Sequence, residues 1–349
     1  MRIELSPVEQ QRREKLRHDH PYIHGKILRQ EQKYLHGGYA PTIQLQYNYA
    51  CNMRCEHCCV SKLEKGRRVM SPEVLADLAR QADALDITHF TISGGEPLLF
   101  RELPDLVKAI DPEKFFVAMD TNGWLFTEER AREIKALGIG KVNISLDSAH
   151  PDEHDAFRRK PGAYAHAIAA IKNAQKAGLL LQVNTVLTKQ RVNSEEFIEF
   201  LEQMKALNAT TAVMFARPIG EWTGNMDILL DDEDIAFMKT LEKTYSLNSH
   251  LSCNYGIDFG CLAVKRLIAI TRYGDVQPCF SILVSLGNIF DEPLKEILER
   301  GMSFRCFAEK SPTCLACVDR KFVKKYNERT IGKPEPLPWQ EFFDAADRK

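Results

Sequence analysis

Strand and helix patterns alternate six times between residues 41 and 245, and this alternation restricts the possible fold more than any other feature of the sequence. Residues 42–47 (TIQLQY) alternate polar and apolar side chains with period two, as a strand does. Strands are expected at 42–47, 89–93, 115–119, 141–146, 179–187 and 211–215, each followed by a helical pattern. Such units build a parallel sheet with right-handed crossovers. Because six units are too few for a closed eight-stranded barrel, we predict an α/β fold, a partial (β/α)6 TIM-like barrel.

The chain is expected to have four parts. Residues 1–40 are polar and form an N-terminal extension with one helix near its start, and residues 41–245 form the barrel. Beyond about residue 250 a hairpin around Gly274 and a short helix replace the regular alternation. Residues 246–320 are therefore predicted to form a small cysteine-rich α+β appendage. Residues 321–349 form a charged tail that we expect to wrap the surface.

Charge and hydropathy exclude several classes of partner. The 47 basic and 48 acidic side chains give a formal net charge of −1, so we expect neither nucleic acid nor an anionic membrane as a partner. No apolar run approaches the roughly 20 residues of a membrane span. The N-terminal residues show no export signal, so the expected location is cytoplasmic.

Ten cysteines are concentrated in two groups. Four lie at positions 51–59, none lies between 60 and 252, and six lie at positions 253–317. In a reducing compartment, clustered thiols bind metals or carry out chemistry rather than form disulfides. The two groups therefore predict two metal sites.

The first group, Cys51, Cys55 and Cys58, has the spacing C-x3-C-x2-C and directly follows the first strand. Three thiolates from one loop can hold three irons of a cubane cluster, which leaves the fourth iron free to bind a small molecule. A zinc site with Cys59 or His57 as fourth ligand is the alternative.

The second strand ends in Gly94-Gly95-Glu96-Pro97. Glycines let a ligand approach the backbone closely, and Glu96 offers a carboxylate to an ammonium group. The cysteine loop and this GGEP turn together resemble the radical S-adenosylmethionine (radical SAM) superfamily over residues 41–220. The resemblance implies a 4Fe–4S cluster on the three cysteines, S-adenosylmethionine on its open iron, and contacts from the GGEP turn to the methionyl amino group.

Other strand ends carry weaker signs of the same family. The resemblance implies that Ser145 contacts the carboxylate or ribose of SAM and that Asn184 lies near the ribose. It also implies that Arg158, or alternatively Arg159, binds the carboxylate. For each of these side chains a capping or surface hydrogen bond is the alternative. Four further side chains are expected near the cavity by position alone: His57, Asp120, Arg217 and Trp222.

The second group comprises Cys261, Cys279, Cys314 and Cys317. Its spacing resembles the auxiliary-cluster extension of SPASM and twitch radical SAM enzymes, and four cysteines suffice for one auxiliary 4Fe–4S cluster. A structural zinc site is the alternative. Of the remaining cysteines, Cys59 and Cys306 are expected to pack. Cys253 is the candidate hydrogen-atom donor, with inert packing as its alternative.

The resemblance implies an enzyme that cleaves SAM reductively and abstracts a hydrogen atom from its substrate. An auxiliary cluster with four protein ligands favours an oxidative outcome, so we predict dehydrogenation, or else epimerisation, of a small polar substrate such as an aminosugar or cyclitol. Maturation of a peptide and a non-catalytic metal scaffold are the alternatives. The expected redox partner is a flavodoxin or ferredoxin-like electron donor.

Overall fold

The computed structural model describes residues 7–61, 63, 68–249, 251–252 and 258–349. Six successive strands pair in parallel with their neighbours, as predicted. They are β1 (Thr42–Asn48), β2 (His89–Gly94), β3 (Phe116–Thr121), β4 (Ile139–Ser145), β5 (Leu180–Leu187) and β6 (Thr210–Phe215). Because all six run in the same direction, their C-terminal ends meet on one side of the sheet.

The barrel helices lie between and after these strands. They are α3 (Pro72–Ala84), α4 (Leu103–Ile110), α5 (Glu128–Ala136), α6 (Pro151–Arg158), α7 (Ala163–Lys176), α8 (Glu195–Ala206) and α9 (Asp232–Leu241). The side chains of Ser71, Thr127 and Ser194 each accept the hydrogen bond of a first-turn backbone N–H, so local capping chemistry fixes where α3, α5 and α8 begin.

Three further strands extend the sheet at both edges: β7 (Leu247–Ser249), β8 (Leu267–Thr271) and β9 (Val276–Gln277). The strand order is β7-β6-β5-β4-β3-β2-β1-β8-β9, an open sheet in the described part of the chain. The predicted hairpin exists as the antiparallel pair β8–β9. However, β8 also pairs in parallel with β1, from Thr42 opposite Leu267 to Gln46 opposite Thr271. The hairpin is thus continuous with the barrel sheet.

Two helices precede the barrel, α1 (Pro7–Asp19) and α2 (Pro21–Leu35), where the sequence predicted only one. The second packs on the barrel through buried polar groups. The ammonium group of Lys26 lies 2.9 Å from Asp83 and over the ring of Phe115, and the Gln30 amide donates to the carbonyl of Asp86. The extension is therefore anchored next to the start of β2.

The C-terminal part surrounds a small aromatic core. Its elements are α10 (Leu294–Met302), α11 (Arg305–Ala308), α12 (Arg320–Lys325), α13 (Trp339–Phe342) and the short parallel pair β10 (Val284–Ser285) and β11 (Leu337–Pro338). The rings of Phe304 and Phe343 stack with centroids 4.1 Å apart, and Phe342 is fully buried. The tail is thus packed into the C-terminal core.

Candidate functional site

A cavity of about 980 Å³ opens at the C-terminal ends of the barrel strands. The structure brings eight of the predicted site residues to its wall: Cys51, Cys55, Cys58, Gly94, Gly95, Ser145, Arg158 and Asn184. Of the four residues expected there by position, His57, Asp120 and Arg217 line it, and Trp222 lies behind His57 with ring centroids 6.0 Å apart. The predicted hydrogen donor Cys253 lies outside the described residues.

The two glycines of the GGEP turn lie against the cysteine loop itself. The N–H of Gly95 donates to the carbonyl of Asn48 at 2.7 Å, and a Cβ on Gly95 would lie 2.1 Å from the carbonyl oxygen of Ala50. A Cβ on Gly94 would meet the Asn48 carbonyl at 2.3 Å. The chain needs glycine here first of all for its own segment 48–50, which leads into the cysteines.

The carboxylate of Glu96 faces other groups of the protein, and its contact with the methionyl amino group stays a prediction. It is fully buried and accepts hydrogen bonds from the N–H groups of Leu98 and Asn122 and from the Thr121 hydroxyl. Burial raises its pKa to about 7. The side chain therefore ties the end of β2 to the end of β3. Pro97 is likewise buried, and it begins a short turn away from the cavity wall.

Arg158 is held by the carboxylate of Asp147, which no sequence motif indicated. Asp147 accepts from its Nε at 2.6 Å and from the Val186 N–H at 2.9 Å. Burial alone would raise the pKa of Asp147, but the charge of Arg158 brings it down to about 2. Nη1 of Arg158 lies 3.7 Å from the sulfur of Cys55. One edge of the guanidinium is thus fixed by Asp147, and another edge lies beside the predicted cluster ligand Cys55.

The three loop cysteines fit an iron–sulfur cluster in their chemistry. All three cysteines line the same cavity, and the N–H of Met53 donates to the sulfur of Cys51 at 3.4 Å. Burial raises the pKa of Cys58 to about 11, but iron binds the thiolate and deprotonates such a group. Hydrogen bonds to the sulfurs and a nearby positive charge tune the reduction potential of a thiolate-bound cluster.

The segment after β6 closes the loop from the other side. The N–H of Glu221 donates to the carbonyl of Cys58, and a Cβ on Gly220 would lie 2.1 Å from that oxygen. Arg217 places Nη2 at 3.4 Å from the sulfur of Cys59 and Nη1 at 2.8 Å from the hydroxyl of Ser281. Arg217 therefore connects the cysteine loop to the C-terminal part of the chain.

Polar side chains extend from the cavity wall into the barrel. Gln44 and Asn143 both donate to Asp120, at 3.2 and 2.8 Å, so three strands are joined across their inner face. Burial raises the pKa of Asp120. Gln44 and Asn143 were missed at the sequence level, although the period-two alternation of their strands already placed polar residues on one face.

The second cysteine group is brought together as predicted. Cys314 is in side-chain contact with Cys261 and Cys317, and Cys279 lies close enough for burial and Cys261 to raise its pKa to about 12. Cys261, Cys314 and Cys317 are at most 6% exposed. A cubane cluster takes one cysteine on each of its irons, whereas a structural zinc ion binds all four thiolates itself. Four thiols without another ligand type fit such a cluster.

Comparisons with known proteins agree with this geometry. A model of the radical SAM superfamily matches residues 45–204, and a model of an iron–sulfur cluster-binding domain, SPASM, matches residues 261–318. A probable GTP 3′,8-cyclase of Methanosarcina mazei is 31% identical over 288 residues, which are 73% of this chain and 83% of that protein. The chain belongs to the radical SAM superfamily. It is a radical SAM enzyme with a SPASM domain. Its cofactors are SAM, a SAM-binding 4Fe–4S cluster and auxiliary iron–sulfur clusters in the SPASM domain.

Two further comparisons cover more of the chain. An AdoMet-dependent heme synthase of Nitratidesulfovibrio vulgaris is 26% identical over 328 residues, 82% of this chain and 85% of that protein. The crystal structure of Streptococcus suis SuiB bound to S-adenosylmethionine shares the fold, with a TM-score of 0.61, 20% identity, and coverage of 95% of this chain and 83% of that chain. In the described ranges no helix combines the length and apolarity needed to cross a bilayer.

Proposed function

We propose that this radical SAM enzyme catalyses a two-electron oxidation of a small polar substrate, with the second cysteine group holding an electron-accepting cluster. Cys51, Cys55 and Cys58 would hold the cluster that supplies one electron for cleavage of SAM and so for removal of a substrate hydrogen atom as 5′-deoxyadenosine. The second cysteine group would hold the cluster that takes up the second electron, while a proton leaves the substrate. The observation that carries the proposal is the set of four adjacent, largely buried thiols, Cys261, Cys279, Cys314 and Cys317. Four protein ligands leave no open iron for chelating a substrate, which favours electron transfer.

We assign residues of the cavity wall to the binding of SAM and its cluster. Cys51, Cys55 and Cys58 hold the SAM-site cluster, and the backbone of Gly94 and Gly95 lies where the methionyl amino group would bind. A further set of cavity-lining polar groups, Ser145, Asn184 and either Arg158 or Arg159, is available for the ribose and carboxylate. Arg159 is exposed and has no ion pair with a described carboxylate, whereas Arg158 is already bound by Asp147. We therefore favour Arg159 for direct contact with the carboxylate.

A small substrate is supported by the size and polarity of the cavity. The cavity volume is at the upper end of the range for ligand pockets, roughly 300–1,000 Å³. The cavity must hold SAM as well as the substrate. Gln44, Ser93 and Asp120 form a hydrogen-bonded polar patch on its inner wall. The two curated relatives compared above are named for heme and for GTP, which are both small molecules.

Epimerisation and peptide maturation are the alternative outcomes. Epimerisation needs a thiol that returns a hydrogen atom; Cys59 lines the cavity, and Cys253 lies outside the described residues. A peptide would have to reach the same cavity through its open side. The proposed electron donor is a flavodoxin or ferredoxin-like protein, and the proposed location is cytoplasmic.

The test is an anaerobic assay of 5′-deoxyadenosine with dithionite and SAM on the reconstituted protein and two variants. Wild type and C314A are expected to cleave SAM, while C51A is expected to form no 5′-deoxyadenosine. C314A should lose the electron paramagnetic resonance signal of the auxiliary cluster. An unchanged auxiliary signal in C314A, or SAM cleavage by C51A, would contradict the assignment.

A further inference from the structure

We propose that Arg217 and Arg272 form an oxyanion-binding subsite for the substrate, on the side of the cavity next to the SPASM domain. The inference rests on the proposed function, since it names the substrate class of the same cavity: a small molecule that carries a carboxylate or a phosphate. Both side chains line the cavity, and both are only partly buried.

Arg217 is preorganised for binding. Its guanidinium donates to Ser281, contacts the sulfur of Cys59, and lies 4.4 Å from the ring centroid of Phe280. These contacts fix its plane without neutralising its charge, because none of the three groups is a carboxylate. A fixed, planar guanidinium presents a fork of N–H donors that matches a carboxylate or phosphate.

Arg272 lies in the turn between β8 and β9, beside aromatic residues of the same wall. Its Nη1 makes one long contact, 3.4 Å, with the carbonyl of Tyr47, and its backbone N–H faces the hydroxyl of Tyr49 at 3.4 Å. Tyr49 and Tyr273 have ring centroids 6.0 Å apart, and both line the cavity. The subsite therefore joins cationic groups to a partly aromatic surface.

The charge balance of the cavity favours an anion. Five arginines line it, against two acidic side chains, Asp120 and Glu221. Of the arginines only Arg158 has an ion pair with a carboxylate in the part of the chain that the structure describes. Asp120 is occupied by Gln44 and Asn143.

The other three arginines come from segments of the chain different from those of Arg217 and Arg272. Arg54, Arg158 and Arg159 belong to the cysteine loop and the end of α6, next to the predicted cluster ligands. They can serve the cluster and the carboxylate of SAM. Arg217 and Arg272 remain for a further anion. A cationic aminosugar would be repelled by these arginines. The expected substrates are therefore small molecules that carry a negative charge.

The experiment uses fluorine NMR on the reconstituted protein loaded with SAM. Three probes share one ring: 4-fluorobenzoate, 4-fluorophenyl phosphate and the neutral 4-fluorobenzamide. We expect one or both anions to bind at least tenfold more tightly than the amide, and the better anion identifies carboxylate or phosphate as the recognised group. R217Q and R272Q should each weaken binding of that anion about tenfold.

Two variants separate charge from folding. R217K keeps the positive charge and should recover part of the affinity, whereas R132Q, at an exposed position of α5, should bind as wild type does. Equal affinity for anions and amide overturns the subsite. Displacement of SAM by 4-fluorobenzoate also overturns it, because the anion would then occupy the place of the SAM carboxylate.

Failure of the subsite and failure of the proposed function are distinguishable. A protein that forms 5′-deoxyadenosine and contains both clusters, but does not prefer the anions, retains the function and loses the subsite. If the protein binds an anion selectively but lacks the auxiliary cluster, the subsite is supported and the proposed oxidation is contradicted.

Discussion

The guanidinium of Arg158 lies 3.7 Å from the sulfur of Cys55 and is held in that position by Asp147, whose carboxylate accepts from Nε at 2.6 Å. Asp147 also accepts the N–H of Val186 on β5. A carboxylate between two strands thus fixes a positive charge beside a predicted cluster ligand. Outer contacts of this kind orient metal ligands and tune the electronic properties of the metal.

Loss of the Arg158 charge should make the SAM-site cluster harder to reduce. A positive charge near a cluster favours its more negative, reduced form, so R158Q should have a lower midpoint potential, measured by redox titration with electron paramagnetic resonance. R158K keeps the charge and should fall between R158Q and wild type. R130Q, exposed on α5, should leave the potential unchanged. Equal potentials in wild type and R158Q would exclude this role.

A side chain at Gly95 should displace the cysteine loop. A Cβ there would lie 2.1 Å from the Ala50 carbonyl oxygen, and backbone atoms cannot move aside as a flexible side chain can. We expect G95A to lose the SAM-site cluster and to keep the auxiliary one, so that its iron content falls by about four. G25A is the matched control, because its nearest contact is the flexible end of Arg29 at 3.6 Å. Full iron content in G95A would show that the loop tolerates the shift.

Glu96 should make stability depend on pH around neutrality. Burial raises its pKa to about 7 from an ordinary value of 4.5. The folded protein therefore binds this proton more tightly than the unfolded chain. The resulting stability is fully present below pH 4.5 and is lost as the pH rises through about 7, by roughly 3 kcal/mol in total.

Thermal unfolding of wild type and E96Q between pH 5 and pH 8 measures this effect. The stability of wild type relative to E96Q should decrease as the pH rises. E129Q, at an exposed position of α5, should follow wild type at every pH. Parallel curves for wild type and E96Q would mean that Glu96 remains ionised in the folded protein.

Local patterns were sufficient to predict the six barrel strands and the helical pattern that follows each of them. Period-two alternation and capping depend on residues close together in the chain. The pairing of β8 with β1 was not predicted, because it joins Thr42 to Leu267 and no local pattern encodes so distant a partner.

In the candidate site, too, only features that depend on residues close together in the chain could be predicted. The spacing of Cys51, Cys55 and Cys58 placed them together because one short loop carries all three. The hydrogen bond from the Asn122 N–H to Glu96 could not be predicted, because a carboxylate at a strand end looks the same in sequence whether it faces a ligand or a backbone N–H. The role of Asp147 depends on its contacts with α6 and β5, which only the folded chain reveals.

The most direct test of the two-cluster account is anaerobic iron and sulfide analysis of the reconstituted wild type and of the variant with Cys51, Cys55 and Cys58 all changed to Ala. The account predicts about eight irons per chain in wild type and about four in the variant, with the remaining cluster held by the second cysteine group. The account would be contradicted if wild type contained about four irons and the variant none, with zinc bound at Cys261, Cys279, Cys314 and Cys317. The proposed oxidation would then lack its electron acceptor.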